Sequence, residues 1–169
     1  SAEADSLNAA VLAPSAGPDT AEFGAFCDAV VGEMVAKAGQ KCTAIRRVIV
    51  PDTHLNTVSD ALVARLEAIT VGHPADDATD MGALVGLDQR ADVHAAVASV
   101  GARTVFAPEL PGLDTERGAF MAPTLLRADD PAASAAHVVE PFGPVSTLLG
   151  YQDLDDAVAL VAKGRGSLV

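Results

Sequence analysis
The sequence predicts an α/β domain of three layers, with helices on both faces of a mostly parallel sheet. Three observations point there. Short runs of branched apolar residues, such as Val48-Ile49-Val50, are bounded by proline or glycine and read as buried strands. They alternate with longer stretches whose apolar residues recur every three or four positions, the spacing of a helix face. Half of the 169 residues are apolar, with no tryptophan, a composition suited to helices packed on a sheet. This length supports one domain with a substantial core, and neither an internal repeat nor a linker divides residues 1–169.

In chain order, residues 8–12 read as a short buried strand and 14–20 as a loop. From Glu22 the spacing of Phe23, Phe26, Cys27, Val30, Val31, Met34, Val35 and Ala38 predicts a helix, capped by Thr20 and stopped by Gly39. Cys27 falls on its packed face. Residues 48–50 form a strand ended by Pro51. Residues 54–69 form a helix with Leu55, Val58, Leu62 and Leu66 on one stripe. A third helix covers 88–100, with Val93, Ala96, Val97 and Val100 inward and His94 near the polar side. Residues 104–106 are a strand and 108–118 a turn-rich excursion. Residues 120–126 read as a strand broken by Pro123, 145–151 as a strand, 154–161 as a helix, and 166–169 as the entry to a strand.

The formal charge of −12 argues against nucleic-acid or anionic-membrane partners. The polar, acidic start has no signal-peptide pattern, and no apolar run approaches the roughly 20 residues of a membrane span. Two cysteines make no disulfide framework, so a reducing cytoplasmic setting is expected. His54, His73, His94 and His137 have no metal-ligand spacing to one another or to the cysteines, and no metal site is predicted.

Chemistry concentrates at Cys42. It follows a glycine turn at what reads as a helix start, where the positive helix end favours a thiolate. Lys41, Arg46 and Arg47 would add to this if they pointed inward, although Arg46 and Arg47 otherwise read as solvated or ion-paired. The alternative for Cys42 is a buried structural cysteine.

The run Gly39-Gln40-Lys41-Cys42-Thr43-Ala44-Ile45-Arg46-Arg47 resembles the nucleophile motif of the aldehyde dehydrogenase superfamily. Glu3-Ala4-Asp5-Ser6-Leu7-Asn8 sits where that family's Glu-Leu-Gly-Gly-Lys motif sits. Glu140-Pro141-Phe142-Gly143-Pro144-Val145 matches its Glu-x-Phe-Gly-Pro motif. Segments 71–74 and 81–85 resemble its Val-Gly-x-Pro and Met-Gly-Pro loops. The likeness covers essentially the whole chain.

The resemblance implies a catalytic nucleophile at Cys42 and a general base at Glu3. It implies that Glu140 binds the ribose beside the nicotinamide of NADP or NAD and that Phe142 packs against that ring; Gln40 reads as shaping the turn. No part corresponds to the family's nucleotide-binding half, which holds most of the cofactor. The chain is therefore expected to be the thiol-bearing catalytic domain, incomplete at both ends, inactive alone and prone to self-association. The narrower wording resembles the semialdehyde dehydrogenase domain of bacterial phenylacetate ring-opening proteins. That group acts on CoA-linked semialdehydes and is often fused to an enoyl-CoA hydratase; a relative acting on a dehydroadipyl-CoA semialdehyde is not separated from it by sequence. A homo-oligomer is expected. Two other readings stay open: a CoA-acylating dehydrogenase with Glu3 idle, and a structural or assembly module.

Overall fold
The computed structural model describes residues 6–165 and 167–169. The strands are β1 (Ala9–Val11), β2 (Arg47–Pro51), β3 (Arg103–Phe106), β4 (Thr124–Arg127) and β5 (Val145–Tyr151), and the helices α1 (Ala21–Val35), α2 (Leu55–Glu67), α3 (Leu87–Val100) and α4 (Leu154–Ala162). They form one sheet in the order β1-β2-β5-β4-β3. Every pairing is parallel except β3 with β4.

Side chains alternate across the central strands, which sorts the helices into layers. Val48 and Val50 of β2 and Leu148 of β5 pack against Val30, Met34, Val58 and Leu62 of α1 and α2. Ile49 and Leu149 point the other way, onto Ala157 and Leu160 of α4. Val93 and Val100 of α3 cover Leu126 of β4 and Val145 of β5 on that same second face. The predicted three-layer fold is the observed one. Burying each such valine or leucine contributes about 1.5–3 kcal/mol.

Local chemistry accounts for the boundaries. Thr20 caps α1 by accepting from the Phe23 N–H. Asp153 caps α4 through the Asp156 N–H. The strand expected over 120–126 begins only at Thr124, because Pro123 has no N–H to give a ladder. Of the strand entry predicted at 166–169, Gly166 lies outside the described residues, and 167–169 form no strand. Val169 instead rests beside β1, donating to the Asn8 Oδ1 at 2.9 Å.

Arg47 corrects an expectation. It is 1% exposed and has no carboxylate partner among the described residues. Its Nε donates to the Leu7 carbonyl at 2.7 Å. Its terminal nitrogens donate to the Leu160 and Val161 carbonyls at 2.8 and 3.2 Å. These are carbonyls of the last turn of α4, where a helix leaves acceptors unpaired and favours a cation. No helix among the described residues is long and apolar enough to cross a membrane.

Candidate active site
The loop between α1 and β2 carries the thiol. After α1, the backbone turns left-handed at Lys37, Ala38 and Gly39, with φ of 54°, 51° and 68°. A Cβ at Gly39 would collide with the carbonyl of Gly143, so only glycine allows these two segments to touch. Gln40 pins the turn at both ends. Its Nε2 donates to the Lys37 carbonyl, and its Oε1 accepts from the Val85 N–H, each at 2.9 Å.

Cys42 is an exposed free thiol, whereas Cys27 is fully buried on α1. Burial pushes the Cys27 thiol above its usual range. Cys27 is core, as its spacing predicts. The helix start expected at Cys42 is absent, because residues 43–46 must carry the chain directly into β2. The nearest helix in sequence, α1, ends before the turn, and its C-terminus is the negative pole. Lys41 is drawn to Glu33 at 2.9 Å.

Two residues fasten this turn. Asn8, at the entrance to β1, donates through Nδ2 to the carbonyls of Cys42 (2.8 Å) and Ala44 (3.0 Å). Arg46 is 3% exposed and reaches across to the corner before β5. Its Nη2 donates to the Gly39 carbonyl at 2.7 Å, its Nη1 to the Gly143 carbonyl at 2.6 Å, and its Nε to Glu140 at 3.1 Å. Burial pushes its guanidinium down, and Glu140 pushes it back up.

At that corner the Glu140 side chain is 8% exposed, not solvated. One oxygen accepts from Arg46 and the other from the Ser6 N–H at 2.9 Å. A carboxylate has about four acceptor sites, so each oxygen keeps capacity for a further donor such as a ligand hydroxyl. Phe142 is exposed, with its ring centroid 5.4 Å from the Arg46 guanidinium carbon. Gln89 of α3 holds the Phe142 carbonyl at 2.9 Å.

The structure thus joins the Cys42 turn, Glu140 and Phe142. Glu3 lies outside the described residues, while Ser6, three positions on, bonds to Glu140. Ser6 and Asn8 carry no expectation as parts of the site, and Arg46, expected only as a charge beside the thiol, bonds instead to Glu140 and to the Gly39 and Gly143 carbonyls. The signal for Asn8 and Arg46 was a polar residue written into, or directly before, a buried strand. No group of His, Cys, Asp and Glu able to hold a metal occurs among the described residues. A separate groove of about 560 Å³, lined by Arg90, His94 and Phe120, lies along α3 and includes none of Cys42, Glu140 or Phe142.

Comparison with known proteins follows the same lines. The model of the aldehyde dehydrogenase family matches residues 3–167. A 3,4-dehydroadipyl-CoA semialdehyde dehydrogenase from Aromatoleum evansii is 41% identical over 99% of this chain and 34% of its own length. A crystal structure of betaine aldehyde dehydrogenase from Staphylococcus aureus with NAD+ superposes with a TM-score of 0.80 at 25% identity, covering 92% of this chain and 31% of that one. A cysteine-to-alanine mutant of aldehyde dehydrogenase C from Pseudomonas syringae, with NAD+ and octanal, gives 0.76 at 27%, covering 94% and 32%. The chain spans about a third of the length of the relatives it matches.

Proposed function
The chain belongs to the aldehyde dehydrogenase family, and on that premise we propose that the whole protein oxidises an aldehyde to its acid through Cys42. The substrate is a CoA-linked semialdehyde, a reading supported by the 41% identity to a relative named for such a substrate. This chain supplies the thiol-bearing catalytic domain, and a nucleotide-binding domain elsewhere in a longer chain holds most of the NADP or NAD.

The observation that carries the reading is an exposed thiol on a turn fastened to a buried carboxylate. Cys42, its proton lost to solvent, adds as the thiolate to the carbonyl carbon, forming the C–S bond as the carbonyl pair moves onto oxygen. The Cys42 backbone N–H is the natural donor to that oxygen. A bound nicotinamide supplies the acceptor for the hydride that departs, which leaves an acyl thioester on Cys42. Glu3 takes the proton of the water that releases the acid, a role typically worth about 100- to 10,000-fold. Glu140 fits the ribose hydroxyls, since each of its oxygens keeps acceptor capacity, and Phe142 offers an exposed ring to the nicotinamide.

The same reading places the protein in a reducing, cytoplasmic compartment, where both thiols stay free, and has it work as a homo-oligomer. A fused enoyl-CoA hydratase domain belongs to the narrower resemblance. The test is nicotinamide reduction by the full-length protein given a CoA-linked semialdehyde. Cys42→Ala abolishes turnover, Cys27→Ala retains it, and Glu3→Gln stalls at the acyl thioester. Full turnover by Cys42→Ala refutes the reading. Turnover by Glu3→Gln that requires added CoA shows thiolysis in place of hydrolysis.

A further inference from the structure
We infer that Arg46 is a positioning residue, braced on the Gly39 and Gly143 carbonyls, that holds the Glu140 carboxylate in one orientation toward its ligand. The inference rests on the roles proposed for Cys42 and Glu140. Its geometry is that of a three-way clamp. Nε reaches Glu140, Nη1 the Gly143 carbonyl and Nη2 the Gly39 carbonyl, at 3.1, 2.6 and 2.7 Å. The two carbonyls belong to the segments that touch where Gly39 leaves no room for a Cβ. The guanidinium also lies beside the Phe142 ring, 5.4 Å from its centroid. One planar side chain therefore touches the thiol turn and both residues assigned to the cofactor.

An ion pair alone would not require arginine. Burying two charges costs desolvation that their attraction often fails to offset, so an isolated buried pair adds little stability. Here the fork geometry matters, because three nitrogens on one plane meet three acceptors from separated positions. Lysine presents a single nitrogen and cannot span them. The charge matters too. A dinucleotide carries negative phosphates, so a lone carboxylate would disfavour its approach; Arg46 offsets that charge. With Arg46 and the Ser6 N–H each holding one oxygen, the carboxylate cannot rotate freely. Its remaining acceptor sites are set before a ligand arrives, which lowers the ordering cost of binding.

The experiment uses the full-length enzyme with Arg46→Lys, Glu140→Gln and the double variant. Two reactions are followed. One is nicotinamide reduction with aldehyde. The other is hydrolysis of p-nitrophenyl acetate, which acylates the thiol directly and needs no dinucleotide. Arg46→Lys is expected to raise KM for NAD+ or NADP+ about tenfold or more, while ester hydrolysis stays within about threefold. Added to Glu140→Gln, it is expected to change that KM by less than about threefold, since residues acting on one group are non-additive. An unchanged nucleotide KM in Arg46→Lys overturns the inference. So does the full increase on top of Glu140→Gln, or an equal loss of both reactions. If Arg46→Lys does not fold, Arg46→Gln enters the same cycle under the same criteria. Cys42→Ala separates the two levels: retention of both reactions there sinks the underlying function, whereas their loss beside an unaffected Arg46→Lys sinks only the clamp.

Discussion
The side-chain amide of Asn8 donates to the carbonyl of Cys42 across 2.8 Å, tying the entrance of β1 to the thiol turn. Asn8 is fully buried, and its other groups are also engaged. Nδ2 reaches Ala44, while Oδ1 accepts from Ser6 and from Val169. Asn8→Leu keeps most of the volume and strands two carbonyls, each costing about 1–3 kcal/mol when buried. We expect a loss of about 2–6 kcal/mol in urea unfolding. Asn8→Asp should lose more, because an acceptor-only carboxylate then faces both carbonyls. Equal stability of Asn8→Asp and the parent would show that the turn does not depend on this amide.

Gly39 and Gly101 both have left-handed φ, 68° and 64°, but different surroundings. A Cβ at Gly39 meets the backbone of Gly143 and Pro144, while nothing lies within 4 Å at Gly101, the C-cap of α3. Gly101→Ala should therefore cost only the left-handed penalty, about 1–2 kcal/mol. Gly39→Ala should cost about 3 kcal/mol or more, since the two segments must also part. Thermal melts of the pair decide this. Matching losses would mean that the segments are not in close contact.

Helical spacing alone located α1, α2 and α3, because the faces that bury Phe23, Cys27, Leu62 and Val93 are periodic in the sequence. β2 is legible as a short continuous apolar run, because it is buried on both faces. The site was legible as three motifs, but not as a geometry. The sequence leaves Arg46 solvated or ion-paired; it is ion-paired, but its partner Glu140 and the Gly143 carbonyl lie 94 and 97 positions away. Local pattern cannot report which distant carbonyls a buried side chain must satisfy. The helix expected after Gly39 failed for a spatial reason as well. A glycine turn precedes many helices, yet only residues 43–46 lie between Cys42 and the start of β2, too few for one.

The two thiols should react at very different rates. Cys42 is exposed on its turn, whereas Cys27 is sealed under α1 with its thiol held above the usual range by burial. Iodoacetamide on the native protein should label Cys42 first, by about 100-fold or more, because alkylation needs both access and a thiolate. Cys27 should label only on unfolding. Peptide mass spectrometry against time resolves the two sites. Comparable native labelling of Cys27 would place it outside the core.

His137 should make stability depend on pH. It is 5% exposed, with Nδ1 3.1 Å from an Arg47 terminal nitrogen and Nε2 2.7 Å from the Pro131 carbonyl. Arginine only donates, so Nδ1 must accept, and the proton sits on Nε2. A second proton would set an N–H against a cation. Burial pushes the imidazole below its usual value, the Pro131 carbonyl pushes it back up, and Arg47 and Lys163 push it down. The folded pKa is therefore below the unfolded value of about 6.5, and between the two the unfolded chain binds more protons. The contribution of His137 is fully present above about pH 6.5 and is lost as pH falls toward the folded pKa. The comparison is with His137→Gln, which does not charge. Urea midpoints from about pH 8 to about pH 5 should fall more steeply in the parent than in His137→Gln. Parallel slopes would show that His137 accepts its second proton as readily folded as unfolded.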